Sequence, residues 1–260
     1  MVDASRSGIQ SIGDLTGCEA LESVYVGGCH NLASLTGLSG LKKLRMVDAS
    51  RSGIQSIVDL TGCVALESVY VGGCHNLTSL TGLSGLEKLR MVDAMRSGIQ
   101  SIGDLTGCVS LESVYVGGCH NLPSLTGLSG LGKLRTVDAY YSGIQSIGDL
   151  TGCVALESVV VCDCKRLTSL TGLSGLGKLT TVDASESAIE SIEGLTGCVA
   201  LERLDVRFCP GVTSVIALSG LESLMKVNVR GSGVSCGEAF AFRPGVFVED
   251  DDTSVDESES

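Results

Sequence analysis

The sequence predicts an α/β repeat solenoid, a stack of thin layers wound around short parallel strands. Three observations predict it. The chain repeats itself every 45 residues, with Val2, Val47, Val92, Val137, Val182 and Val227 in equivalent places. Its apolar residues are aliphatic, with no Trp and only 3% aromatics, which suits many identical layers better than one irregular core. Ten of the twelve Cys fall at two fixed points of the repeat, Cys18, Cys63, Cys108, Cys153 and Cys198, then Cys29, Cys74, Cys119, Cys164 and Cys209. Cysteines that fall in the same layer of every unit are expected to behave as small buried apolar residues in a reducing compartment.

Each 45-residue unit divides into alternating halves of 23 and 22 residues. The first half reads LESVYVGGCHNL from Leu66, with Leu66, Val69, Val71, Cys74 and Leu77 apolar. The second reads LRMVDAMRSGI from Leu89, with Leu89, Val92, Ala94, Ser97 and Ile99 at the key places. Both fit L-x-x-L-x-L-x-x-N/C-x-L, the leucine-rich repeat signature. Alternation along a strand sends Val69 and Val71 inward and Tyr70 outward. One short parallel strand per half-unit follows. Beyond the strand, apolar residues recur every third position, as in Ile99, Ile102, Leu105 and Cys108, which suits turns and 3₁₀ pieces better than an α-helix. The expected architecture is a horseshoe with a concave parallel sheet of about eleven short strands and a convex side of turns and 3₁₀ pieces, over residues 1–235.

The 22-residue half, with its I-x-x-I-x-x-L tail, resembles the repeats of bacterial internalins and of the leucine-rich regulatory subunit of a nuclear Ser/Thr phosphatase. The 23-residue half, with Cys before x-x-Leu, resembles cysteine-containing leucine-rich repeats. Their combination, with the wording SLTGLSGL, is similar to leucine-rich repeat proteins of trypanosomes, some described as adenylate cyclase regulators. The resemblance implies a fold and a binding role, and no catalytic residues.

The ends depart from the repeat. Val2 already stands at the fourth motif position, so an open apolar face is expected at the N-terminus, where stacked repeats otherwise carry polar caps. Residues 236–248, with Phe240, Phe242 and Phe247, read as a C-terminal cap, and 249–260 as a disordered acidic tail. Thr253, Ser254 and Ser258 there fit either an acid-directed kinase or a tail that only solubilises.

Net charge is −12, and the last twelve residues carry seven of the acidic groups, leaving −5 for the rest. Without an excess of Lys and Arg the chain is not expected to collect nucleic-acid phosphates. No apolar run reaches the roughly 18 residues of a membrane span, and the start carries no secretory pattern. The expectation is therefore a monomeric cytoplasmic or nuclear protein, in which the sequon Asn76-Leu77-Thr78 stays unmodified. No cofactor is expected.

Strands in register turn outward residues into columns. The second motif position alternates Glu22, Arg45, Glu67, Arg90, Glu112, Arg135 and Glu157, a ladder of opposite charges. The fifth alternates Asp3, Tyr25, Asp48, Tyr70, Asp93, Tyr115 and Asp138. An Asp on every second strand puts carboxylates about 9–10 Å apart. That excludes a shared calcium, whose ligands sit about 2.3–2.6 Å from the ion, and a proton-sharing pair. It nears the roughly 6.5–9.5 Å of inverting glycosidases, but those need two differentiated carboxyls and these environments repeat.

Other motifs fail on chemistry. Gly172–Leu179 and Gly127–Leu134 nearly match a phosphate loop but end in Leu where magnesium needs a hydroxyl. Cys162 and Cys164 form a lone C-x-C without a second ligand pair at zinc spacing. His30, His75 and His120 stand two strands apart, too far to share an ion.

The units are not equal. The first three are near copies, whereas from Tyr140 onward the outward residues change while the core persists. Tyr140, Tyr141, Val160, Cys162, Asp163, Asp183, Glu186, Asp205, Arg207, Phe208 and Arg230 define a candidate partner-binding patch, Tyr and Arg being enriched in interface hot spots. The function expected is a non-catalytic protein-interaction scaffold, as the recognition or regulatory arm of a signalling or ubiquitin-ligase assembly. A truncated or structural duplicate of a longer repeat protein, with no binding of its own, is the alternative that the open N-terminal face suggests. An enzyme would need a pocket that so regular a surface does not supply.

Overall fold

The computed structural model describes residues 1–15, 17–235 and 246–250. Twelve strands form one sheet in chain order, every neighbouring pair parallel. They are β1 Val2–Asp3, β2 Ser23–Tyr25, β3 Met46–Asp48, β4 Ser68–Tyr70, β5 Met91–Asp93 and β6 Ser113–Tyr115, then β7 Thr136–Asp138, β8 Ser158–Val160, β9 Thr181–Asp183, β10 Arg203–Asp205, β11 Lys226–Asn228 and β12 Phe247–Glu249. The register is that of the repeat, so Val69 stands between Val47 and Val92. Across the turns a sparse second ladder pairs Ser79 with Ser101, Ser124 with Ser146 and Ser169 with Ser191. No α-helix occurs among the described residues, where the helical content is three 3₁₀ turns, Val58–Leu60, Glu193–Leu195 and Ile216–Leu218.

The strand count exceeds the expected eleven because Phe247–Glu249 adds to the last repeat strand. Glu249 is tied to β11 through the Asn228 amide, which donates to it at 2.8 Å, and through Lys226 Nζ at 2.6 Å. Residues 236–245 of the expected cap and 251–260 of the expected tail lie outside the described residues.

One Leu, Ile, Val or Cys from each motif position fills each layer, and nearly all are fully buried. Nine of the cysteines are buried and unpaired. Cys63, Cys108, Cys153 and Cys198 donate their thiols to the carbonyls of Leu38, Leu83, Leu128 and Leu173 at 3.0–3.2 Å. Cys18 corrects the expectation, since it is exposed. Its equivalents each donate to a carbonyl 25 residues earlier. The second column is closed the same way. Cys29, Cys74, Cys119, Cys164 and Cys209 donate to Ala4, Ala49, Ala94, Ala139 and Ala184, while Ser52, Ser97 and Ser142 each lie 3.6 Å from the neighbouring thiol.

These bonds close a turn that leaves each strand through a left-handed residue. The halves build it differently. Where the fifth motif position is Asp, its Oδ1 accepts the N–H two residues on, as Asp48 does from Ser50, Asp93 from Met95 and Asp138 from Tyr140, at 2.9–3.1 Å. That is an Asx-turn, in which a short acceptor side chain stands in for backbone. Where the position is Tyr, as at Tyr70, the Gly72-Gly73 pair bends without help, Gly73 having φ +71°.

The turns also pack closely. Gly98 donates to the Cys74 carbonyl at 3.1 Å, and a Cβ on it would stand 2.0 Å from the His75 carbonyl oxygen. In the fifth unit Ala188 occupies this place, and the bonding is rearranged: the Cys164 N–H donates to Ser187 Oγ, which donates to the Val161 carbonyl. Gly98→Ala, without that rearrangement, is expected to cost about 1–3 kcal/mol through overpacking, read as a lower urea midpoint; an unchanged midpoint contradicts the packing described.

Candidate interaction surface

Outward residues of the fifth, seventh and eighth motif positions form three adjacent columns on the open sheet face and along its C-terminal edge. The eleven residues singled out from the sequence all fall in them, from β7 to just past β11, Cys162 at the seventh position after β8. Val160, Asp183 and Asp205 are in the fifth-position column, Tyr140, Arg207 and Arg230 in the seventh, and Tyr141, Asp163, Glu186 and Phe208 in the eighth. The eighth position has positive φ in each of these turns: 51° at Tyr141, 56° at Asp163, 57° at Glu186 and 55° at Phe208. For residues other than Gly that conformation costs roughly 1–2 kcal/mol.

The patch divides in two. Glu186, Arg207, Phe208 and Arg230 gather with Phe247 and Glu249 around a depression of about 370 Å³. Asp183, Asp205 and Arg207 border a second, of about 290 Å³, beside it. Tyr140, Tyr141, Val160 and Asp163 lie apart, toward β7 and β8. Tyr140 places its ring over Gly117, where a Cβ would come 2.4 Å from it, and Tyr141 meets His120 edge-on at 4.8 Å. Asp163 pairs with Lys165 at 2.7 Å, and Lys165 also donates to the Glu186 carbonyl.

Burial shifts several titratable groups of this surface. Burial raises the Asp138 carboxyl above its ordinary range, with Asp183 and Asp93 adding repulsion against the stabilising Tyr140 N–H. Asp205 is raised for the same first reason. Burial and the nearby Asp183 push the Cys162 thiol up to about 12, so it stays protonated and a poor nucleophile. The Glu and Arg column is not a continuous ladder. Arg45 pairs with Glu67 at 2.9 Å, Arg90 with Glu112 at 2.8 Å and Arg135 with Glu157 at 3.3 Å, each Arg reaching one way, and all are exposed enough to contribute about 0–1 kcal/mol. Among the described residues no group of His, Cys, Asp or Glu is arranged to hold a metal. Leu134 and Leu179, at the ends of the two near phosphate-loop motifs, are fully buried.

Sheet, register and signature together decide the fold. The chain is a leucine-rich repeat solenoid. Solved internalins of Listeria monocytogenes share it. One (inlF) aligns at TM-score 0.75 and 20% identity over 90% of this chain and 68% of its own. The functional domain of InlJ, described as including a cysteine ladder, aligns at 0.61 and 17% over 87% and 53%. Internalin C2 aligns at 0.53 and 18% over 87% and 79%. No protein-family model and no curated protein matches the sequence. The likeness is one of fold. Among the described residues of this repeat solenoid, no helix is long and apolar enough to cross a membrane.

A depression of about 780 Å³ lies on the face in the first three units, which sequence reasoning left out. His30, Arg51, Gly73, His75 and Arg96 border it. The signal was available in the alignment of the halves, where Gly-Gly of one stands against Ser-Arg or Met-Arg of the next.

The raised Asp138 gives a pH prediction. A carboxyl whose folded pKa exceeds its unfolded value disfavours folding once ionised, so stability is gained as pH falls through that raised value. Asp138→Asn keeps the acceptor for Tyr140 and removes the charge. The variant is expected to melt above wild type at pH 7, the gap closing toward pH 4, in circular dichroism melts at both values; a lower melting point at pH 7 contradicts it.

Proposed function

We propose that the protein is a non-catalytic scaffold that holds a protein partner on its open sheet face. The observation that carries this is Phe208. It is 50% exposed, sits at φ 55°, and lies over Gly231, where a Cβ would meet its ring at 2.5 Å. Solvent exposure and left-handed backbone both weigh against Phe there, and Arg207, Arg230 and Phe247 surround it with the residue types that anchor interfaces. Constancy of the core against change in these columns supports the same reading, as does the binding role common to repeat surfaces of this kind. The finer reading, an arm of a signalling or ubiquitin-ligase assembly in the cytoplasm or nucleus, is supported by the eleven described cysteines all being unpaired, which suits a reducing compartment.

The test is affinity capture from the source cell with residues 1–260, beside the Tyr141→Ala, Arg207→Ala, Phe208→Ala triple variant. A specific partner kept by wild type and lost by the variant, with circular dichroism unchanged, is the expected outcome. Equal capture by both chains overturns the placement of the site.

A further inference from the structure

The face carries two columns of arginine with opposite fates. Arg45, Arg90 and Arg135 spend their guanidinium groups on Glu67, Glu112 and Glu157. Arg6, Arg51 and Arg96, at the eighth motif position of alternate turns, do not. Among the described residues none of them has a carboxylate partner, and the one polar side-chain contact is from Arg96 to the Tyr140 hydroxyl at 3.4 Å. All three are exposed and held at φ 55–56°. Each lies against a glycine of the next turn. A Cβ at Gly28 would stand 3.2 Å from Arg6 Cγ, at Gly73 3.0 Å from Arg51 Cγ, and at Gly118 2.8 Å from Arg96 Cγ. The glycines therefore seat the arginine stems, which orders the cations without neutralising them. The 780 Å³ depression runs between Arg51 and Arg96, with His30 and His75 on its edge.

The spacing of the row selects a ligand. Equivalent residues two strands apart are about 9.4–9.8 Å from one another. A polyproline II chain rises about 3.1 Å per residue with three residues per turn, so every third side chain returns to one side after about 9.3 Å. A β-extended peptide sends residues i and i+3 to opposite sides and does not fit. A nucleic-acid strand, with a charge about every 3.4 Å, would bring about three phosphates for each arginine of the row and leave most of them without a cation opposite. We infer that Arg6, Arg51 and Arg96 form a docking row for a peptide in polyproline II conformation with an acidic residue at every third position. This rests on reading the face as an interaction surface, but uses the turns after β1, β3 and β5 rather than those around Phe208.

Fluorescence anisotropy on the full chain tests it, with labelled Glu-Pro-Pro-Glu-Pro-Pro-Glu, the isomer Pro-Pro-Glu-Glu-Glu-Pro-Pro, and oligo(dT) as probes. The spaced peptide is expected to bind about tenfold tighter than the clustered one, and Arg51→Gly with Arg96→Gly to weaken it about tenfold. Glycine suits the left-handed backbone, so the double variant keeps its unfolding midpoint, and Arg51→Lys with Arg96→Lys restores part of the binding. Equal binding of both peptides, no binding of the spaced one, tighter binding of oligo(dT), or indifference to the variants overturns the inference. Those results leave partner capture at Tyr141, Arg207 and Phe208 unaffected, so the two readings fail separately.

Discussion

The structure depends on how each turn satisfies the backbone it buries. A strand of three residues must be followed by a sharp bend, and the bend leaves carbonyls inside a layer of aliphatic side chains where water cannot reach them. An unpaired buried carbonyl is costly. A thiol is small enough to pack as an apolar group and still has a weak proton to give. One column of Cys, assisted by Ser, supplies it to alternate bends, as Cys74 does for Ala49, and a second serves carbonyls farther from the strands, as Cys63 does for Leu38. Individually these bonds are weak. Repeated in register, they allow each layer to match the next.

That register is what makes a surface. Because the turn backbone is fixed, outward residues change without disturbing the fold, and each motif position becomes a column of evenly spaced side chains. The Asp column illustrates how such a row is mistaken for chemistry. Its carboxylates accept N–H groups two residues on and serve the bend, also where burial raises them, as at Asp138 and Asp205. What remains for a partner are the left-handed positions at the edge of the sheet. There Arg6, Arg51 and Arg96 alternate with glycine, and Tyr141, Asp163, Glu186 and Phe208 follow in the later turns.

Most of the fold was legible because the period is exact in its buried residues. Val47, Val69 and Val92 announce strand, register and inward face at once. The charge pairing was legible only as a column, since sequence does not say that Arg45 reaches toward Glu67 rather than back toward Glu22. Cys18 misled because its place in the repeat is that of a core residue while its side chain stands exposed. The depression between Arg51 and Arg96 was missed because near-identical units looked undifferentiated. Its origin is conformational, a positive φ shared by Gly in one half and Arg in the other, and only that shared backbone shows that the glycine seats the arginine.

The most direct test of the buried ladder is the reactivity of its thiols. Iodoacetamide labelling of the folded chain, mapped by mass spectrometry, is predicted to spare Cys29, Cys63, Cys74, Cys108, Cys119, Cys153, Cys164, Cys198 and Cys209 and to modify Cys18 ahead of all of them. Rapid modification of Cys74 or Cys119 while the circular dichroism signal stays native would contradict the account.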